Sequence, residues 1–248
     1  MTRIDLNCDL GEGAGHDAEL MPLISSASIA CGGHAGNDAM MLTTMRLALR
    51  HDVAIGAHPG FADRRSFGRI ELPLSPGEVR DLVTGQSQSL LALARQCGAR
   101  VRHVKPHGAL YNLAARDAVF ARAVAEGVYE ADPRLVLVGL AGSRLLEAGT
   151  ACGLSTISEV FADRTYQADG SLTPRSQPDA LIKDAAVAVA QVLRMVREGR
   201  VIATDGSAVE IQADTVCLHG DGAHAVEFAQ QLRAALTSAG IEIRSFGA

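Results

Sequence analysis

The sequence predicts an α/β fold, a single-domain (β/α) barrel of about seven strands, on three observations. Short apolar strands alternate with amphipathic helices along residues 1–248, with no linker or low-complexity break. Such alternation marks a mainly parallel sheet joined by helical crossovers. The run Leu135-Val136-Leu137-Val138 is continuously apolar, as a strand buried on both faces must be. The chain of 248 residues is also the length of one barrel. An open doubly wound sheet is the alternative.

Each element has its own justification. Residues 4–6 begin the first strand, followed by Asn7, Asp9 and Glu12 among glycines at 11, 13 and 15. Because position 16 is His, the glycine run is not a dinucleotide-binding G-x-G-x-x-G turn. Residues 28–31 form a second strand leading to Gly33-His34, and Asp38 is the expected N-cap of a helix reaching about Arg50. Its inner face is Met41, Met45, Ala48 and Leu49. Residues 53–56 form a third strand that closes on His58-Pro59. The segment 61–74 carries Asp63, Arg64, Arg65 and Arg69 and has the length of a lid or binding loop.

Ser75-Pro76-Gly77-Glu78 is a capping box with proline at the first helical position, opening a helix to about Cys97. A strand over 100–104 stops at Pro106, which lacks a ladder donor. Gly108 frees the backbone to turn into a helix from Ala109. Asp117 caps the next helix, 118–129, before Asp132-Pro133 ends it. Strand 135–139 and helix 143–151 lead to strand 155–158, then to Glu159, Asp163, Arg164 and a polar loop through Arg175. Pro178-Asp179 opens a helix predicted over 180–198. Residues 201–203 and 209–211 flank Thr204-Asp205-Gly206-Ser207 as a hairpin. Strand 215–218, ending at His219 and Asp221, then helix 225–239 and strand 241–244 complete the chain.

Composition narrows the function. A formal net charge of -5 with mixed signs argues against nucleic acid or an anionic membrane as partner. Trp is absent and aromatics are 4%, which disfavours stacking platforms. The five cysteines are scattered without a C-x-x-C pair, so a reducing cytoplasm fits better than a disulfide framework. Cys8, Cys31 and Cys217 read as buried small hydrophobes rather than nucleophiles. No signal peptide precedes Ile4, and the apolar runs are too short to span a bilayer.

The chemistry lies at the strand ends. His34, His58, His107 and His219 each follow a short apolar strand beside Gly, Ala or Pro. Asp9, Glu12, Glu159, Asp163 and Asp221 share that topology, and Lys105, Tyr111 and Asn112 surround the turn at His107. In α/β proteins such ends line the ligand site. One such turn alone could be a polar corner that solvates itself; six on one rim make a pocket. Histidines and carboxylates imply acid/base work with electrostatic stabilisation. No Gly-x-Ser-x-Gly elbow, H-E-x-x-H motif or Walker A loop occurs. The corner Asp9/His34/His58 offers ligands for a metal of unknown identity.

Several segments together resemble the LamB/YcsF family, to which one component of bacterial ATP-dependent 5-oxoprolinase, its A subunit, belongs. They are residues 5–12, 29–36, 56–60, 104–112, 159–164 and 219–221, in order along nearly the whole chain. Three departures stand out: Gly33 where the family usually has Phe, Asn37 where it has Asp, and Gly222-Ala223 where Thr-Pro is common. The first two imply a wider pocket or a weaker acidic contact.

The resemblance implies a distorted barrel of glycoside hydrolase/deacetylase-like type. It also implies ATP-dependent opening of 5-oxo-L-proline to L-glutamate, with Mg2+ as the ATP counter-ion and with B and C subunits for partners. On that reading Asp9, His58, Lys105, His107, Glu159 and Asp221 are catalytic. Asn7, Glu12, His34, Asn112, Asp163, Arg164 and His219 bind substrate, with Lys105 and Arg164 holding phosphate or the substrate carboxylate. The alternatives are a stand-alone metal-dependent amidohydrolase and a non-catalytic substrate-binding subunit.

Overall fold

The computed structural model describes residues 2–219 and 224–246. Its elements in chain order are β1 (Arg3–Leu10), α1 (Asp17–Leu20), β2 (Ser26–Ala30), α2 (Asp38–Arg50), β3 (Ala54–His58) and α3 (Pro76–Gln96). Then come β4 (Val101–Val104), α4 (Gly108–Arg116), α5 (Ala118–Ala131), β5 (Val136–Leu140), α6 (Arg144–Ala151) and β6 (Thr156–Phe161). The rest are α7 (Ala185–Glu198), β7 (Arg200–Ile202), β8 (Ala208–Glu210), β9 (Thr215–Leu218), α8 (Ala225–Ser238) and β10 (Glu242–Ile243).

Every neighbouring pair in the series β1-β2-β3-β4-β5-β6-β9 is parallel, and β9 pairs back to β1. The sheet is therefore a closed seven-stranded barrel, as the alternation predicts. Helices cover its outside, and β10 adds in parallel to β1 at Arg3 and Ile4. The β7–β8 pair is an antiparallel hairpin apart from the barrel, as the Thr-Asp-Gly-Ser turn implies.

Strand periodicity separates two environments. On β1, Ile4, Leu6, Cys8 and Leu10 are buried hydrophobics of the main core. Asp5, Asn7 and Asp9 alternate with them and make their contacts inside the barrel with residues of other strands. Space inside is tight. A Cβ on Gly56 would lie 2.0 Å from His103 Nε2, so glycine on β3 makes room for the imidazole of β4. Gly108 has φ +56, and its missing side chain admits the Gly68 carbonyl oxygen, which lies 2.7 Å from where a Cβ would stand.

Local signals hold where they are chemically specific. The Ser75/Glu78 capping box forms, and Asp117 accepts from Val119 and Phe120. Elsewhere boundaries move. β1 runs on to Leu10, because its polar residues pair inside the barrel instead of ending the strand. The α2 cap is Asn37, which accepts from the Met40 N–H, while Asp38 is the first helical residue. Leu49 is exposed, and Leu47 takes the inward position. α7 starts at Ala185 with Asp184 as cap, five residues later than predicted. Residues 179–182 are instead tied to 163–165: Thr165 N donates to the Ala180 carbonyl and Ile182 N to that of Asp163.

Candidate functional site

The inner ladder of β1 builds the site from below. Asp5 accepts hydrogen bonds from Ser25 and Ser26, each at 2.7 Å, and from Thr215. Burial nevertheless pushes its carboxyl up to about 6. Above it, Asn7 Nδ2 donates to Glu159 Oε1 at 2.9 Å and to Thr215 Oγ1 at 2.7 Å. Lys105, only 2% exposed, sets its ammonium 2.6 Å from Asp9 Oδ1, 3.0 Å from Glu159 Oε1 and 2.9 Å from Asn7 Oδ1. Burial opposes that charge, but the surrounding acids, Asp9 foremost, outweigh burial and raise the Lys105 pKa well above its ordinary value. Burial likewise pushes Asp9 up, and His58 and Lys105 outweigh it, holding the carboxyl well below the usual range.

The rim carries three imidazoles. His34 and His107 stack with ring centroids 3.6 Å apart, and His58 stands edge-on to both. Glu12 Oε1 lies 2.9 Å from His34 Nε2, 3.5 Å from His107 Nδ1 and 4.0 Å from His58 Nε2. Burial, with His58 as neighbour, pushes His34 down to about 3 and His107 to about 2, so both are neutral near pH 7. Phe67, a non-glycine residue at φ 55, turns its carbonyl onto His107 Nε2 at 2.8 Å. The 61–74 loop thus reaches the rim, and Phe67 and Arg69 line the cavity.

A second rim cluster lies across the barrel. His219 Nδ1 meets both Asp163 oxygens at 2.9 and 2.8 Å, while its Nε2 is 3.0 Å from an Arg175 nitrogen. A guanidinium can only donate, so His219 Nε2 accepts and Nδ1 carries the proton toward Asp163. Burial pushes Asp163 up, but His219 outweighs it and lowers the carboxyl. Between the clusters opens a cavity of about 1000 Å³ whose walls include Asp9, Glu12, His58, Lys105, His107 and Glu159. Tyr111, on α4, contributes a buried hydroxyl beside Glu159 that has no aligned hydrogen-bond partner.

The sequence-predicted residues divide accordingly. Asp9, Glu12, His34, His58, Lys105, His107 and Glu159 converge, and His219 with Asp163 stands across the cavity. Asp221 and the Gly222-Ala223 departure lie outside the described residues. Four expectations change. Lys105 is not a cation awaiting an anion, because Asp9 and Glu159 already neutralise it. Arg164 spends its guanidinium on the carbonyls of Ala180, at 3.2 Å, and Thr173, at 2.6 Å, which fixes the loop. Asn7 is inside the barrel, off the cavity wall. Asn112 lines the cavity but bonds back to the Gly108 carbonyl at 3.1 Å.

The departures at Gly33 and Asn37 do not shape the cavity. A Cβ on Gly33 would meet Gln86 Nε2 at 2.6 Å, and Gln86 fills that space by clamping the Gly60 main chain. Asn37 caps α2. For a metal, the donor set within reach is Glu12, His34, His58 and His107, all within 4.8 Å of one another, rather than Asp9/His34/His58. Burial pushes the thiols of Cys8, Cys31 and Cys217 up, Cys31 to about 12, so they are inert, as their sequence context predicts. Sequence reasoning passes over Asp5, Thr215 and Gln86, although the period-2 alternation Asp5/Asn7/Asp9 is a visible sign of a polar barrel interior.

The model of the LamB/YcsF family matches residues 4–248. The chain belongs to the LamB/YcsF family. Among its relatives is a Shouchella clausii protein named as the A subunit of 5-oxoprolinase, 56% identical over 99% of this chain and 99% of its own. A Bacillus subtilis protein of the same name is 52% identical over 98% of this chain and 96% of its own. The crystal structure of the lactam utilization protein from Thermus thermophilus superposes with TM-score 0.92 at 47% identity, covering 98% of this chain and 100% of that one. A family 4 carbohydrate esterase from Streptomyces lividans matches with TM-score 0.51 at 9% identity, covering 98% of this chain and 91% of its own. That likeness shows the deacetylase-type fold alone, and it agrees with the fold the family resemblance implied.

Proposed function

We propose that this chain is the A subunit of an ATP-dependent 5-oxoprolinase, which opens 5-oxo-L-proline to L-glutamate together with B and C subunits. One observation carries the reading: relatives 49–56% identical over at least 98% of the chain are named as the A subunit of 5-oxoprolinase. A reducing, cytoplasmic setting fits the free cysteines, and no helix among the described residues is long and apolar enough to cross a membrane.

The chemistry of the cavity suits a γ-lactam. Such a ring is an unstrained amide, so attack by water needs the carbonyl oxygen turned into a better activating group. ATP, arriving with Mg2+, would phosphorylate that oxygen and release ADP. Water then adds to the ring carbon and gives a proton to a base. The C–N bond breaks as nitrogen takes a proton, and a second water attacks the acyl carbon of the resulting acyl phosphate, breaking its C–O bond so that phosphate leaves with the original carbonyl oxygen. His107 and His58, with their Asp9 and Glu12 neighbours, are the groups suited to accept the water proton. Tyr111, whose buried hydroxyl stands on the cavity wall, suits the protonation of nitrogen. Arg69 and Arg175, both on the cavity wall, are the cations suited to the substrate carboxylate and the phosphates.

The deciding assay follows glutamate from 5-oxoproline with and without ATP, before and after adding B and C subunits. Turnover only with ATP and both partners is expected. ATP-independent turnover by the lone chain would replace this reading with a metal-dependent amidohydrolase, which the Glu12 and imidazole cluster favours. With carbonyl-oxygen-labelled substrate, label should appear in the released phosphate.

A further inference from the structure

The two central imidazoles each have one nitrogen fixed by a main-chain carbonyl. His58 Nδ1 lies 2.6 Å from the Lys105 carbonyl oxygen, and His107 Nε2 lies 2.8 Å from that of Phe67. A carbonyl oxygen only accepts, so those two nitrogens hold the protons and donate. In the neutral rings His58 Nε2 and His107 Nδ1 are then both bare lone pairs. They face each other at 3.0 Å. Two acceptors at that separation repel unless a cation lies against both. Carboxylates surround the pair: Asp9 Oδ2 is 3.3 Å from His58 Nε2, and Glu12 Oε1 is 3.5 Å from His107 Nδ1. Behind Glu12, His34 brings a third imidazole, with Nε2 2.9 Å from the same Oε1.

Distances agree with a metal shell. Nitrogen and oxygen ligands at about 2.0–2.2 Å in a tetrahedron stand roughly 3.4 Å apart. Four of the six separations, 2.9, 3.0, 3.5 and 4.0 Å, lie on both sides of that value, and the two from His34 to the other rings are within 4.8 Å. The donor set is also selective: three imidazoles and one carboxylate suit zinc-class ions, whereas Mg2+ and Ca2+ want oxygen. Anchoring a ring N–H on a carbonyl is how proteins orient a metal-binding histidine. Glu12, His58 and His107 line the open cavity, which gives an ion its route in.

We propose that Glu12, His34, His58 and His107 form a binding site for one divalent transition-metal ion of the imidazole-preferring class, zinc foremost. The ion sits between His58 Nε2 and His107 Nδ1, with Glu12 neutralising it and His34 closing the shell. Binding moves the proton that His34 Nε2 directs at Glu12 in the metal-free site to the ring's other nitrogen, Nδ1. The site is separate from the Mg2+ that accompanies ATP and does not depend on what the substrate is; with the ion bound, His58 and His107 have no lone pair left for a water proton, and that role passes to the Asp9 carboxylate beside them on the cavity wall.

The test uses the untagged full chain, stripped with chelator and dialysed against buffered free zinc. About one equivalent of zinc should bind per chain, and thermal stability should rise with its concentration. Cobalt in its place should give the visible absorption of a tetrahedral nitrogen/oxygen site. His58→Ala and His107→Gln should each weaken zinc binding by more than about 100-fold while far-ultraviolet circular dichroism stays native. A folded wild-type chain that takes up no zinc and gives no cobalt spectrum would overturn the proposal, leaving a shared proton between the rings. Undiminished zinc uptake by both folded variants would overturn it equally, by placing the ion elsewhere.

Discussion

Two polar layers inside the barrel obey opposite rules. In the lower layer each charge meets its complement, even though Glu159 Oε2 accepts no hydrogen bond among the described residues: three hydroxyls donate to Asp5, and Lys105 joins Asp9, Glu159 and Asn7. At the rim, His58 Nε2 and His107 Nδ1 face each other at 3.0 Å while carbonyls hold their other nitrogens, and His34 Nδ1 is buried without a hydrogen-bond partner among the described residues. The lower layer is closed electrostatically and holds strands together. On the proposal above, the rim is closed only when the metal ion enters. Polar burial by itself therefore does not mark a functional residue; several unmet ring nitrogens gathered around one cavity do so better.

The largest effect should come from breaking the closed layer. Lys105→Ala leaves Asp9 and Glu159 buried without their cation and should cost about 3–5 kcal/mol in denaturant unfolding. A mutant as stable as wild type would move Lys105 out of the scaffold and back to the ligand. Next, Gly56→Ala forces a methyl onto the His103 ring. Overpacking of this kind costs about 1–3 kcal/mol or more, read from the same unfolding curves. An unchanged midpoint would mean that the ring swings aside.

Acid should separate the layers. Burial lowers His34, His103 and His107 to about 3, 3 and 2. The folded chain therefore holds fewer protons than the unfolded chain below pH 6.5. Stability contributed by each ring is full above 6.5 and is lost as pH falls toward its folded value, by about 1.4 kcal/mol per pH unit. Asp5 opposes this between 3.8 and about 6, since its raised pKa lets the folded state hold the extra proton. The three imidazoles outnumber it, so unfolding midpoints should fall between pH 6.5 and 5. His103→Asn should flatten that slope by one ring's share; an unaltered slope would exclude His103 as a source. The smallest effect belongs to Asn37→Asp. As a cap exchange it should shift stability by a few tenths of a kcal/mol and leave glutamate formation unchanged.

Much is legible along the chain because it is written locally. The Ser75/Glu78 box, the Asp117 cap, the hairpin at Asp205-Gly206 and the break at Pro106 depend on neighbours a few residues away. The start of α7 escapes such a reading because the bonds that straighten residues 179–182 come from 163–165. The convergence of His34, His58 and His107 follows from topology, once each is placed after a parallel strand. The role of Lys105 does not follow, since its partners Asp9 and Glu159 lie on β1 and β6, distant in sequence.

Periodicity, turn chemistry and motif order are all carried along the chain. They were enough to establish the alternation of strands and helices, the barrel class, the family and the set of rim histidines and acids. Which charges cancel, and which remain to be met, was settled only in three dimensions. That choice is made at separations of about 3 Å across the barrel, where side chains from different strands either complete one another's hydrogen bonds or leave them open.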